Sequence, residues 1–304
     1  MAKRGPVRRR LKRTGDRLVA GALLGLVDLV SRLPPDRALG TAHAIGRRLG
    51  PLSARHRVVT ENLARAMPEL GEGERDRIAR ESWGHQARLV VETAQLERLF
   101  DWSPAPDAAQ GRVEIDDPAG ALDAHRAGTA AKDAPPLLFF TGHTGCFEML
   151  PRMAAAAGLD MAVLFRPPNN RPLAERLMER RARTGARFLA SRRGAAAALH
   201  AHLSGGGAVG LLVDQKFARG PRVPFMGVEA ATNPLVVKLA AITGRVVLPA
   251  RCVRLPGNRY RVAIEPPLAL PADETAALAL VNARVEAWVR EHPEQWMWFH
   301  RRWA

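Results

Sequence analysis

The sequence predicts an α/β protein: a mixed, largely parallel sheet flanked by helices, behind a helical N-terminal region. Two observations carry this. From residue 137 to residue 215 short apolar runs alternate with helix-length segments, the signature of βαβ units. The run Ala208–Val213 is apolar at every position, as strands covered on both faces of a parallel sheet are.

Taken in order, residues 1–17 form a basic arm with Lys3, Arg4, Arg8, Arg9, Arg10, Lys12, Arg13 and Arg17. An apolar run, Leu18 to Val30, follows; Asp28 interrupts it and Arg32 and Pro34 end it. It is shorter than the ~20 residues of a spanning helix. We read residues 1–33 as a basic arm and a membrane-anchoring helix that is embedded or interfacial, with the arm on the cytoplasmic side. A nucleic-acid-binding arm on an ordinary first helix is the alternative. Residues 34–304 form the remaining domain, a helical lead-in (34–110) and an α/β core (111–304). Helices are expected at Asp36–Leu49, at 54–67 up to Pro68, and over Glu72–Phe100 as one long helix or a helix pair, with Pro104 and Pro106 marking a break.

In the core, Val113–Ile115 is a short strand and 118–128 a helix. Leu137–Thr141 is a buried strand that enters a turn, Gly142–Gly145, and then a helix. A strand at 161–165 runs into the turn Arg166–Asn170. Helix 171–184, a strand at Arg187–Leu189, helix 194–203 and the strand 208–215 follow. Lys216–Gly227 reads as a loop rich in Arg, Pro and Gly. Asn233–Pro234 opens a helix to Thr243. Val246–Val253 and Tyr260–Glu265 flank a Pro-Gly-Asn turn and predict a hairpin, hence one antiparallel pair in the sheet. A helix from Asp273 to Glu291 stops at Pro293, and the chain ends in an aromatic, basic tail with Trp296, Trp298, Phe299, Arg301, Arg302 and Trp303. That tail is either packed or serves as the wall of an acyl pocket or an interfacial anchor.

The formal charge is +16, mostly arginine, because lysine stands only at Lys3, Lys12, Lys132, Lys216 and Lys238. Such a field draws the protein to anionic membrane, phosphorylated substrate or nucleic acid. Aromatics make up only 5% and cluster at the C-terminus, which argues against a single-strand stacking platform. The two cysteines, Cys146 and Cys252, suit a reducing compartment. No zinc-type Cys/His spacing occurs, and no metal is implied. No cofactor is expected.

His143 and Glu148 are the central candidates. On one regular helix, five residues turn through roughly 500°, and the side chains diverge by about 140°. They meet only if His143 sits in the turn and Glu148 in the first helical turn, which the Gly142 and Gly145 flanks allow. A carboxylate beside a histidine fixes its tautomer and supports the imidazolium, making a general base. Arg166 and Asp214 close two other strands at the same carboxyl edge, where α/β sheets collect ligands. Cys146 admits a thiol-nucleophile reading, paired with His143 in a hydrolase, but no separate base stands for it and we read it as a packing residue.

The assembled motifs GHTGCFE (142–148), FRPPNN (165–170), LLVDQ (211–215), VPFMGVEAATNP (223–234) and PEQWMWFHRRW (293–303) resemble the lauroyl/myristoyl, or late, acyltransferases of lipid A biosynthesis. The resemblance implies a glycerolipid-acyltransferase-like fold and an O-acyltransferase of the cell inner membrane, its site on the cytoplasmic face. Its donor is acyl carrier protein and its acceptor a hydroxyl of a Kdo-bearing lipid A precursor, with no nucleic acid involved. Another glycolipid or glycerolipid acceptor is the alternative. His143 would act as general base oriented by Glu148. Arg166 would hold a sugar phosphate or steady the oxyanion. Asp214 would hydrogen-bond Arg166 or the acceptor, or serve as a cap. Asn169, Gln215, Lys216, Arg219 and Asn233 are further substrate-binding candidates.

Overall fold

The computed structural model describes residues 21, 25, 28–30, 32–103, 111–130, 137–167 and 170–303. The basic arm and most of the apolar run lie outside them. Among the described residues no helix is long and apolar enough to cross a membrane.

The lead-in is helical. Helix α1 (Pro35–Leu49) buries Ala38 and Leu39, and α2 (His56–Ala66) buries Val58, Val59 and Leu63. The long α3 (Glu72–Ala94) carries Glu72 and Glu74 in its first turn, where they complement the helix dipole. Of the two readings of Glu72–Phe100, the helix pair holds: the long helix ends at Gln95, where φ of −114° leaves the helical range, and a short α4 (Leu96–Leu99) follows. The Gln95 side chain donates to the carbonyls of Val30 and Leu33, tying the break to the chain ahead of α1.

The core is a seven-stranded sheet. Its strands are β1 (Val113–Asp116), β2 (Leu138–Thr141), β3 (Met161–Phe165), β4 (Arg187–Ala190), β5 (Ala208–Leu212), β8 (Val247–Leu255) and β9 (Arg259–Ile264). Their order is β1-β9-β8-β2-β5-β3-β4. Only the β8/β9 hairpin is antiparallel; the other five pairings are parallel. Helices α5 (Ala121–Ala130), α6 (Met149–Ala156), α7 (Arg171–Ala182) and α8 (Ala195–Ser204) connect the strands. The mixed, largely parallel sheet is thus as expected.

Alternation along the central strands divides the core between two faces. Leu138 and Phe140 of β2 face a cluster that includes Leu199 and Leu203 of α8 together with Trp288 and Trp298. Phe139 faces the opposite cluster, with Met149 and Met153 of α6. The helices α9 (Leu235–Thr243) and α10 (Glu274–Glu291) complete the first layer. Asp273 caps α10 by accepting from the Ala276 N–H at 2.7 Å.

The segment expected to be a loop, Lys216–Gly227, contains a strand. Strands β6 (Arg222–Phe225) and β7 (Val228–Ala231) pair antiparallel around Met226 and Gly227, whose φ values are 54° and 72°. Two successive positive φ values define the mirror-type turn that suits strand twist. A methionine in the first position hides that turn from sequence reading, which looks for Asn-Gly or Asp-Gly.

Candidate active site

The site follows from the register of two neighbouring strands. In the parallel pair β2/β5, Thr141 lies opposite Leu212. Two residues further along each strand stand His143 and Asp214. They face each other at the carboxyl edge of the sheet.

Asp214 is fully buried and accepts three hydrogen bonds. Its Oδ1 lies 2.7 Å from His143 Nδ1. Its Oδ2 accepts from the His143 backbone N–H at 2.7 Å and from Trp296 Nε1 at 2.7 Å. Burial alone would raise the Asp214 carboxyl. The charge of His143 and these hydrogen bonds overcome that effect and hold it at about 2. An ionised carboxylate on Nδ1 makes that nitrogen the donor and leaves Nε2 as the acceptor. Gln215 Nε2 stands 3.1 Å from His143 Nε2 and supplies a donor to it.

Glu148, expected to orient His143, does not. It stands just ahead of α6 without capping it, is buried, and its carboxylate is held by Arg181 of α7. Arg181 also lies over the rings of Phe165 and Phe188, at 5.5 and 5.2 Å from their centroids. Proximity in sequence favoured Glu148, but the β2/β5 register turns His143 toward Asp214. Asp214 therefore takes neither Arg166 nor a capping role.

The other predicted residues scatter. Arg166 is exposed beyond the end of β3, and Asn169 lies outside the described residues. The Lys216 backbone N–H donates to His300 Nε2 at 2.9 Å, so that ring nitrogen is unprotonated. The Asn233 side chain accepts from the Leu235 N–H at 3.1 Å, closing a turn ahead of α9. Arg219 stands in the exposed part of the segment leading to β6. Cys146 is fully buried, and burial first, then Glu92, push its thiol well above the usual range. A buried thiol that resists ionisation is no nucleophile.

Of the two readings of the C-terminal tail, the packed one holds: Trp296, Trp298 and Trp303 are buried. Its partners were not foreseen. It pairs with the histidine turn: Gly145 N–H donates to the Gln295 carbonyl at 3.0 Å and Met297 N–H to the His143 carbonyl at 3.1 Å. Gln295 bonds both the N–H and the carbonyl of Arg254, at 2.9 and 3.1 Å, as a neighbouring strand would. Arg302, fully buried, donates to the Ala231 carbonyl and to Thr232 Oγ1 at 2.6 and 2.7 Å. The tail thus braces the turn and, through Trp296, the Asp214 carboxylate.

Three clefts surround the turn. An apolar cavity of about 670 Å³, counted to its open mouth, lies between the sheet and α6, with Phe139, Phe147, Met153 and Leu212 among its walls. Phe147 stands edge-on to His143, ring centroids 5.0 Å apart. On the other side of Phe147 a cleft of about 220 Å³ is lined by His143 itself with Ser82, His85 and Trp296. The third, about 850 Å³, meets the apolar cavity at Glu148 and Arg181 and carries Arg98, Arg152 and Arg183. The arrangement presents a carboxylate-held imidazole in the small cleft, separated from the apolar cavity by the Phe147 ring that borders both. Such an arrangement is chemically able to take a proton from a hydroxyl or a similar weak acid.

A family model described as bacterial lipid A biosynthesis acyltransferase matches residues 2–304. Among curated proteins, the lipid A biosynthesis palmitoleoyltransferase of Escherichia coli (strain K12) is 36% identical over 106 residues, 33% of this chain and 34% of that protein. The lipid A biosynthesis acyltransferase of Shigella flexneri gives the same figures. The chain spans about a third of the length of these curated relatives. The family model, by contrast, is matched from one end of the chain to the other, and the chain belongs to the bacterial lipid A biosynthesis acyltransferases.

Proposed function

We propose that the protein transfers a fatty acyl chain from acyl carrier protein to a hydroxyl of a Kdo-bearing lipid A precursor, on the cytoplasmic face of the inner membrane. The observation that carries the reading is the hydrogen-bonded line Asp214–His143–Gln215 beside the apolar cavity. The acceptor hydroxyl displaces Gln215 from His143 Nε2 and gives up its proton there. Its oxygen attacks the thioester carbonyl, the tetrahedral intermediate collapses, and the departing carrier thiolate takes the proton from His143. Asp214 keeps Nδ1 protonated throughout and stabilises the imidazolium. The formal charge of +16 and the arginines of the cationic cleft suit an acidic carrier, phosphates and anionic lipid.

The test is acyl transfer in membranes, with carrier thioesters as donors, wild type beside His143→Ala, and products weighed by mass spectrometry. A gain of one acyl mass on the Kdo-bearing precursor, lost in His143→Ala, supports the reading. Acylation of a phospholipid or another glycolipid instead would reassign the acceptor.

A further inference from the structure

We infer that Gly210 sets the length of the acyl chain this protein accepts, by leaving open the deep end of the apolar cavity. The inference rests on the acyl-transfer reading and deepens it.

Where the chain enters is fixed by three residues. Phe147 borders both His143 and the cavity. Thr141 and Leu212, two residues before His143 and Asp214, line the cavity as well. A thioester held at His143 therefore has its tail directed down this face of the sheet. Side chains on one face recur every second residue, so Gly210 lies about 7 Å below Leu212 and about 13 Å below Asp214 along β5.

Gly210 stands at the level of Phe139 on β2 and Val163 on β3, its partners in register. Met161, one step lower, is the deepest wall residue on β3. Leu137 and Ala208, the next residues down on this face, do not line the cavity. Gly210 and Met161 thus stand near its floor.

A glycine inside a central strand forgoes the packing of a β-branched side chain. Backbone geometry does not demand it here, because φ is not in the left-handed range. Crowding does not demand it either. A Cβ at this position meets the Met161 sulfur at 3.4 Å and Val163 Cγ2 at 3.8 Å, both ordinary contacts. A methyl group fits. Anything longer enters the cavity, where a terminal part of the acyl tail would lie.

The test measures chain-length preference without requiring catalysis. S-alkyl thioethers of pantetheine, graded in chain length, carry a donor-like head and cannot transfer. Their affinities for the full chain are read by calorimetry, with acyl transfer from the matching thioesters run in parallel. Gly210→Leu is expected to move the tightest binder to a shorter chain and to weaken the longest chains, each excluded methylene costing about 10–200-fold. Gly210→Ala shifts the preference less, in the same direction. Met161→Ala shifts it toward longer chains and decides the matter if Gly210→Leu fails to fold. An unchanged length preference in these variants, or none in the wild type, overturns the inference. A shifted binding preference in a protein that acylates no lipid would leave the cavity assignment standing and remove the proposed reaction.

Discussion

At the scale of the residue, Asp214 is the group on which the site turns. It is buried, triply hydrogen-bonded and held at about 2, against 3.8 for the free side chain. A depressed carboxyl stabilises the fold above its unfolded value and loses that contribution as pH falls toward its folded value. Stability is therefore expected to fall by about 2 kcal/mol between pH 4 and pH 2 through this group. The comparison of Asp214→Asn with wild type in acid denaturation checks it, the variant lacking that portion of the pH dependence. Glu148 has a different task. With Arg181 it forms a largely buried ion pair in the cavity wall. Glu148→Ala leaves the guanidinium unpaired and is expected to cost about 3–5 kcal/mol. Removing Arg181 as well should restore part of the loss, which a double-mutant cycle in chemical denaturation measures. Cys146, sealed and un-ionised, is expected to resist alkylation in the native protein while acyl transfer continues.

At the scale of the element, the turn between β2 and α6 and the C-terminal tail act as one piece. Gly145 has φ of 53°, and a Cβ there would lie 1.7 Å from the Cys252 carbonyl oxygen. Gly145→Ala forces the turn away from β8 and is expected to destabilise by more than about 4 kcal/mol, read as loss of the folded fraction on expression and thermal melting. Trp296→Phe keeps the ring and deletes the donor to Asp214. It should cost about 1–3 kcal/mol and lower kcat more than it raises KM. The strands, the hairpin and most helices were legible because their apolar periods and turn residues are local. The β6/β7 hairpin was not, because it depends on a methionine in a left-handed conformation, and the place of the break at Gln95 depends on bonds to distant carbonyls.

At the scale of the whole molecule, the site is assembled from segments that only the sheet brings together. His143 and Asp214 could each be singled out as polar residues closing a strand. Their partnership could not, because it depends on β2 and β5 being neighbours in the sheet although β3 and β4 lie between them in the sequence. Glu148, five residues from His143, was the natural choice on local grounds, and tertiary structure overrode it. Cys146, by contrast, was readable as a packing residue, and it is fully buried. The tail's role was also hidden, since Gln295 imitates a strand and Trp296 reaches a carboxylate 82 residues away.

The central claim is that Asp214 orients His143 for proton abstraction. Steady-state acyl transfer by Asp214→Asn, with thermal melting to establish that the variant is folded, tests it most directly. An asparagine at this position cannot stabilise the imidazolium. The account predicts a fall in kcat of about 10²–10⁴-fold, comparable to that of His143→Ala, with KM little changed. A folded Asp214→Asn protein that turns over at the wild-type rate would contradict it.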